Sequence, residues 1–261
     1  NVILATGGNS YPKTGSTGDG LAWLKKIGHK VIKPSSALSP LKIKENWVKN
    51  LQGVTLENVK ILVYQNNKKK LSKIGSLLFT HFGISGPAAI NMSREIGALL
   101  RDGSVEISID SVPNFNQTDL DKKLQNIFEE NKNKNLKNAL SRIIPLRFAE
   151  KIIDLAKIKG ETPVRVITKE QRKKIIRVLK DARMSVLRLL PAEESIVAAG
   201  GLDPKEVNFK TMQSKLIPNL YLIGDILNIE RPSGGFSLQL CWTTGYIAGN
   251  SVKMVNIDAI F

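Results

Sequence analysis

An apolar run that halts at a glycine turn occurs at both ends of this chain, and a long stretch of different texture separates the two. Val2-Ile3-Leu4 runs into Ala5-Thr6-Gly7-Gly8. A glycine-rich loop (Gly15, Gly18, Gly20) follows, then a helical pattern with Leu21, Leu24 and Ile27, and Gly28 where a C-cap glycine belongs. Near the other end, Leu220 to Ile223 runs into Gly224-Asp225, and Ser233-Gly234-Gly235 leads into a helix from about Ser237. On that helix Gly245 and Gly249 lie one turn apart, which suits close packing on a sheet. Strand, glycine turn and helix is the unit of α/β layers. Two such units at opposite ends of 261 residues predict one layer split by an insert.

The insert reads in two parts. Val54, Leu56, Val59, Ile61 and Val63, and later Val105, Ile107 and Ile109, alternate as half-buried strands do. Asn66-Asn67 before Lys68-Lys69-Lys70 reads as a hairpin tip, and Ser85-Gly86-Pro87 opens a helix expected to reach Leu100. The expectation is an antiparallel sheet or barrel with one helix. From Thr118 to Ala182 the period is helical. Leu120, Leu124, Ile127 and Phe128 share a spacing with Leu136, Leu140, Ile143 and Ile144, which reads as core rather than a cofactor box. Thr118 with Asp121, and Thr168 with Gln171, have capping-box spacing; Gly160 and Pro163 separate helices. The expected division is therefore an α/β layer from 1–39 and 194–261, a β-barrel subdomain from 40–112 and 183–193, and a small helical bundle from 113–182.

Composition excludes several classes. At 42% hydrophobic and 24% charged residues the chain matches an ordinary soluble globular protein. No apolar run reaches the roughly 18–20 residues that cross a bilayer, so no membrane partner is expected. One cysteine, Cys241, rules out an intramolecular disulfide or a cysteine-based zinc site, and two histidines leave little room for a metal centre. The expectation is no metal and a reducing cytoplasm. The chain opens at Asn1 in mid-strand without a signal peptide, and reads as a piece of a longer protein.

Charge is uneven. There are 39 Lys and Arg against 23 Asp and Glu, a net +16, with 19 against 9 between Pro113 and Leu190 and 8 against 2 between Leu41 and Lys73. One reading is an anionic polymer or surface as partner. The other is a lysine- and asparagine-rich bias over solvated faces, favoured because no aromatics alternate with the basic residues. Nucleic acid is therefore not the expected partner.

Among the motifs, Gly8 to Thr14 imitates a P-loop, but Pro12 has no N–H for a phosphate and stands where glycine is required. Asp225 ends an apolar strand, placing a carboxylate at the sheet edge where α/β proteins bind ligands; it either accepts from sugar or ribityl hydroxyls or caps the next turn. Gly234-Gly235-Phe236 allows a ligand to approach backbone N–H groups at a helix N-terminus, or is a plain flexible loop. His81, between Phe79-Thr80 and Phe82, reads as a hydrogen-bonded core residue or a catalyst, and Cys241 beside Trp242 as buried and inert. No catalytic acid or base is identifiable.

Four blocks together, Val2–Gly20, Leu77–Ala88, Ala198–Leu216 and Leu220–Gly249, resemble a family of bacterial FAD-binding flavoproteins similar to aminoacetone oxidase, the NAD(P)/FAD-dependent oxidoreductases. The resemblance implies a Rossmann-like FAD-binding layer split by a barrel and helical bundle. It implies that Ala5, Thr6, Gly7 and Gly8 form the second dinucleotide-domain motif. Gly224 and Asp225 would lie near the ribityl–phosphate arm, and Gly234, Gly235, Phe236 and Ser237 in the loop under the isoalloxazine. The implied chemistry is hydride transfer on a small-molecule substrate, with NAD(P)H a candidate electron donor. The family's G-x-G-x-x-G unit and ribose-binding acid lie upstream of Val2. The layer is thus expected to be incomplete, its partner the missing N-terminal half, and FAD to bind the full-length protein but not this chain alone, which would then be inactive. A basic nucleic-acid-binding module and an inactive structural fragment are the competing readings, and the oligomeric state stays open.

Overall fold

Backbone pairing divides the chain into two units, Asn1–Ser39 with Leu190–Phe261, and Pro40–Leu189, in a computed structural model that describes residues 1–10, 12–191 and 197–252. The sequence-expected junction at 193–194, and residues 253–261 of the expected layer, lie outside the described residues.

The first unit opens with β1 (Val2–Leu4), α1 (Asp19–Lys26) and β2 (Val31–Ala37). Helix α1 stops because Gly28 adopts φ +96°, letting its N–H reach Lys25 O at 3.2 Å and the His29 N–H reach Leu24 O at 2.9 Å. This double bond pattern is a Schellman ending, which glycine makes without steric cost. Leu21 and Leu24 are buried, whereas Ile27, read as part of the same apolar face, is 48% exposed because it is the cap and has left that face.

The second unit follows as β3 (Leu41–Ile43), α2 (Asn46–Lys49), β4 (Thr55–Gln65), β5 (Lys68–Phe79), β6 (Gly83–Ser85), α3 (Pro87–Ile90), α4 (Ser93–Asp102), β7 (Val105–Asp110), α5 (Gln117–Glu130), α6 (Leu136–Leu140), α7 (Leu146–Leu155), α8 (Lys169–Lys180) and β8 (Ala182–Leu189). Its six strands close into an antiparallel barrel in the order β3-β6-β5-β4-β7-β8, with β8 returning to β3. Val59, Ile61, Val63, Ile107 and Ile109, the alternating residues, all point into the core. Asn66 and Asn67 turn β4 into β5 at φ 51° and 58°, the two left-handed residues that a tight hairpin turn demands. Gly83 has no room for a side chain: a Cβ would lie 2.1 Å from Leu41 O and 2.8 Å from Ile43 N.

Two expectations in this unit are corrected. The single helix from Gly86 to Leu100 is two helices, α3 and α4, broken at Asn91-Met92. The break lets Ala88 and Ala89 from the first helix, and Ile96 from the second, bury in one core. The capping box expected at Thr118 and Asp121 is absent; Asn116 caps α5 instead, its Oδ1 accepting the Asp119 N–H at 2.9 Å. Thr168 and Gln171 do form a capping box on α8. Leu120, Leu124, Ile127 and Phe128 of α5 and Ile175 and Leu179 of α8 share a continuous core with the barrel strands.

The chain returns to the first unit as β9 (Val197–Leu202), β10 (Val207–Asn208), β11 (Gln213–Ser214), β12 (Leu220–Leu222) and α9 (Phe236–Ser251). Strand β1 pairs in parallel with β12, register Val2↔Leu220, Ile3↔Tyr221 and Leu4↔Leu222, in a sheet of order β1-β12-β11-β10; β2 pairs antiparallel with β9. Leu21, Leu24, Leu202, Tyr221, Leu222, Ile226 and Ala248 form a separate core. β1 is an edge strand, and Val2 and Ile3 stay 60% and 44% exposed.

Two measurements test these contacts. Gly83→Ala should cost about 3 kcal/mol in urea unfolding, because rigid backbone of β3 meets the new methyl. Asp121 of α5 accepts from Arg172 of α8 at 2.7 Å, and that bond holds its carboxyl below the usual range against the opposing effect of burial. A depressed folded-state value contributes stability above the ordinary carboxylate value of about 4, lost as pH falls below it. The stability gap between wild type and Arg172→Met should therefore narrow as pH drops below about 4 in thermal melts.

Candidate functional site

Parallel pairing of β1 with β12 sets their C-terminal turns side by side. Ala5 to Gly8 follow one strand and Gly224-Asp225 the other, with Gly7 and Gly224 at φ +69° and +71°. A Cβ on Gly8 would lie 3.4 Å from the Asp225 carbonyl oxygen, so the two turns touch. Helix α1 packs against the first turn through Gly20, where a Cβ would fall 1.9 Å from Thr6 Oγ1. Helix α9 packs against the second: Gly224 donates its N–H to Thr244 Oγ1 at 2.9 Å, and a Cβ there would lie 3.2 Å from Cys241 Sγ.

Arg231 completes the arrangement. Its guanidinium donates to the Asp225 carboxylate through a short ion pair, to Ser237 Oγ at 2.9 Å, and to Ile229 O. The Arg231 side chain is 8% exposed and that of Asp225 is 33% exposed. This cation therefore ties the Gly224-Asp225 turn to the first turn of α9, whose N-cap is Gly235 at φ +91°. Nine of the ten residues singled out from sequence lie on these two turns and the start of α9; the tenth, Gly234, precedes them at φ +108°. Arg231 was missed. Its only signal is a basic residue six positions beyond Asp225 in an otherwise weakly charged segment.

The residues suit a bound group. A Cβ on Gly7, Gly234 or Gly235 would meet nothing within 4 Å, so these faces are open, and each residue holds a left-handed φ that glycine adopts without strain. The Asn9 Oδ1 beside the first turn is buried without a hydrogen-bond partner, an acceptor left for a donor from elsewhere.

His81 departs from the sequence reading. His81 is exposed, not a core residue: Thr80 to Gly83 form a tight turn with Thr80 N–H to Gly83 O at 2.8 Å, and the imidazole stands at its tip against Phe82. The buried histidine is His29, with Nδ1 2.6 Å from Glu206 Oε2 and Nε2 3.0 Å from Ser214 Oγ. Ser214 Oγ already accepts the Leu216 and Ile217 N–H groups at 3.1 and 2.9 Å. Its own proton therefore points at Nε2, and Nδ1 donates to Glu206, a network that pins β11 to the end of α1. Cys241 is half-buried rather than fully buried. Among the described residues no cluster of three His, Cys, Asp or Glu side chains could hold a metal ion, and no helix is long and apolar enough to cross a membrane.

The middle of the chain is thus a closed six-stranded barrel with a helical bundle, placed in sequence between the segments that carry β1 and β12. Residues 35–197 match the family model described as HI0933-like protein barrel and H2TH domain. The chain belongs to the HI0933-like family, which is flavoprotein-related, as its motifs implied. It is 28% identical over 251 residues to the 3-dehydro-bile acid delta(4,6)-reductase of Clostridium scindens, covering 96% of this chain and 61% of that protein. It is 28% identical over 255 residues to the ribosomal RNA dihydrouridine synthase of Haemophilus influenzae, covering 97% and 60%, and 26% identical over 245 residues to that of Escherichia coli, covering 94% and 58%. The chain spans about three-fifths of the length of these curated relatives. A relative named as a reductase marks the family as oxidoreductase-like.

The site makes a prediction about its thiol. Burial pushes the Cys241 thiol up, and the neighbouring Asp225 charge adds to it. Alkylation at pH 7 should be slower than for a free cysteine, and Asp225→Asn should speed it by removing that charge. A rate unchanged by the substitution would disprove the coupling.

Proposed function

We propose that this chain is the C-terminal portion of an FAD-dependent reductase, with the flavin held in part by the turns after β1 and β12 and by the loop before α9. The observation that carries the reading is the parallel β1–β12 register. It sets Ala5–Gly8 against Gly224-Asp225, with the face of Gly7 left open. Bound flavin supplies hydride exchange with a donor and a substrate, NAD(P)H being the candidate donor. Asp225 accepts hydroxyl donors of the ribityl arm, and Arg231 fixes the orientation of that carboxylate. First-turn N–H groups of α9, at Phe236 and Ser237, offer donors at the positive end of a helix dipole. The remaining two-fifths of the relatives' length would supply the half that grips the ADP moiety.

Both relatives' names describe reductions: a delta(4,6)-reductase, and a synthase of dihydrouridine, which is uridine with two more hydrogens on its ring. Against the expectation from the sequence of a small-molecule substrate and no nucleic acid, we infer a base in RNA as the substrate, from the names of two relatives taken together with where the charge lies. Residues 40–189 carry 29 Lys and Arg against 15 Asp and Glu, a net +14 of the chain's +16. An excess of that size confined to one folded unit suits a polyanion.

The test uses the protein extended to its relatives' length. It should bind FAD, read by quenching of flavin fluorescence, and Asp225→Ala should weaken binding by about 1–3 kcal/mol. Undiminished affinity in that variant would remove Asp225 from the site. With reductant, the wild type should convert uridine to dihydrouridine in a ribosomal RNA transcript; conversion of a free small substrate alone would reject the RNA reading.

A further inference from the structure

A cleft of about 470 Å³ opens in the barrel unit where the start of β4 meets the segment after β7 and the turn after α6. It is built rather than incidental. The ladder between β4 and β5 shifts register between Leu56 and Val59, and such bulges re-aim the side chains at a strand end. The opposite wall, Ser111 to Phe115, is held to α8 by four hydrogen bonds, one of them from Ser111 Oγ to Leu179 O at 2.8 Å. The Ser111 N–H reaches Leu179 O at 2.9 Å, and Lys180 Nζ donates to Phe115 O at 2.6 Å and to Val112 O at 3.3 Å. The cleft is therefore shaped before any ligand arrives.

Its lining has a definite chemistry. Val59, Val112 and Ile144 are buried, and Phe115, half-buried against the same core, also lines the cleft. At the exposed mouth, Asn58 Nδ2 donates to Asn114 Oδ1 over 3.5 Å, the longest distance a hydrogen bond spans, so both amides are readily given up to a ligand. Each amide offers a donor and an acceptor. An apolar slot with one ring and a donor–acceptor pair at its mouth fits a flat heterocycle whose edge alternates C=O and N–H. Glu57 on the same rim keeps phosphate away from the mouth, while the net +14 of the unit attracts it elsewhere.

We propose that this cleft holds one unstacked base of a single-stranded RNA, the base against Phe115 and its edge on Asn58 and Asn114, with the phosphate backbone on the basic surface of the same unit. The proposal rests on the RNA reading given above and adds to it a base-holding site apart from the flavin turns.

The experiment measures binding of the 261-residue chain to a fluorescein-labelled 12-nucleotide single-stranded RNA by anisotropy at two salt concentrations. Wild type should bind and lose affinity steeply with salt. Phe115→Ala should weaken binding by about tenfold or more with the salt slope unchanged, because a stacking contact is lost and no phosphate contact is. Asn114→Ala, at an exposed position that leaves the core intact, should weaken it by a smaller factor with an unchanged melting temperature. An abasic 12-mer should bind wild type no better than the intact RNA binds Phe115→Ala. Failure of the wild type to bind RNA would overturn the RNA reading and this site with it. Salt-sensitive binding equal in wild type and both variants would overturn the site alone. Cholate binding to wild type that Phe115→Ala abolishes, with RNA binding untouched, would likewise overturn it in favour of a small-molecule cleft.

Discussion

Three parallel backbone partners, Val2↔Leu220, Ile3↔Tyr221 and Leu4↔Leu222, set the turns after β1 and β12 side by side, and six of the ten candidate site residues stand on those turns. A parallel pair has no hairpin to enforce it; its strands meet only if the intervening chain closes a loop of more than two hundred residues. The entropy of closing a loop grows with the logarithm of its length, each doubling costing about 0.6 kcal/mol, so a long insert is tolerated once the local contacts are good. Those contacts are supplied by buried Leu222 and Tyr221, by Gly20 of α1 seated on Thr6, and by α9 seated on Gly224. Loss of the pairing would separate the two turns and leave no site.

Charge divides along the same line as structure. In the first unit two pairs join a nearly buried side chain to a carboxylate, Arg231 to Asp225 and the His29 imidazole to Glu206. Breaking such a pair leaves a buried group unsatisfied, so these contacts fix geometry more than they add stability. The barrel unit carries most of its lysines at the surface, where pairs such as Lys132–Glu129 contribute little and the field of the whole surface matters more.

Legibility in the sequence followed the range of the interaction that decides each element. The alternation in β4 and β7 was plain because a strand with one buried face must repeat every second residue. The α8 capping box was plain because its partners, Thr168 and Gln171, are three residues apart. Thr118 and Asp121 have similar spacing yet make no box, since Asn116 starts the helix earlier and Asp121 is drawn to Arg172, fifty-one residues away. His81 was judged by its bulky neighbours, but a turn closed by Thr80 and Gly83 lifts it into solvent. His29 carries no local mark at all, because Glu206 and Ser214 come from the far end of the chain. At the candidate site the glycines and Asp225 were legible as turn chemistry, whereas Arg231 acquires its meaning only from the side chains it joins.

The barrel closes by pairing its first strand with its last, Leu41↔Leu189 and Lys42↔Arg188. The chain thus enters and leaves this unit through adjacent positions, as a plug-in module does with its two connectors side by side. Sequence change within the module, including gain or loss of whole helices, need not alter the spacing of the two ends it presents to its host. Such a unit can change its surface and its helices while the strands by which the chain enters and leaves it keep one geometry.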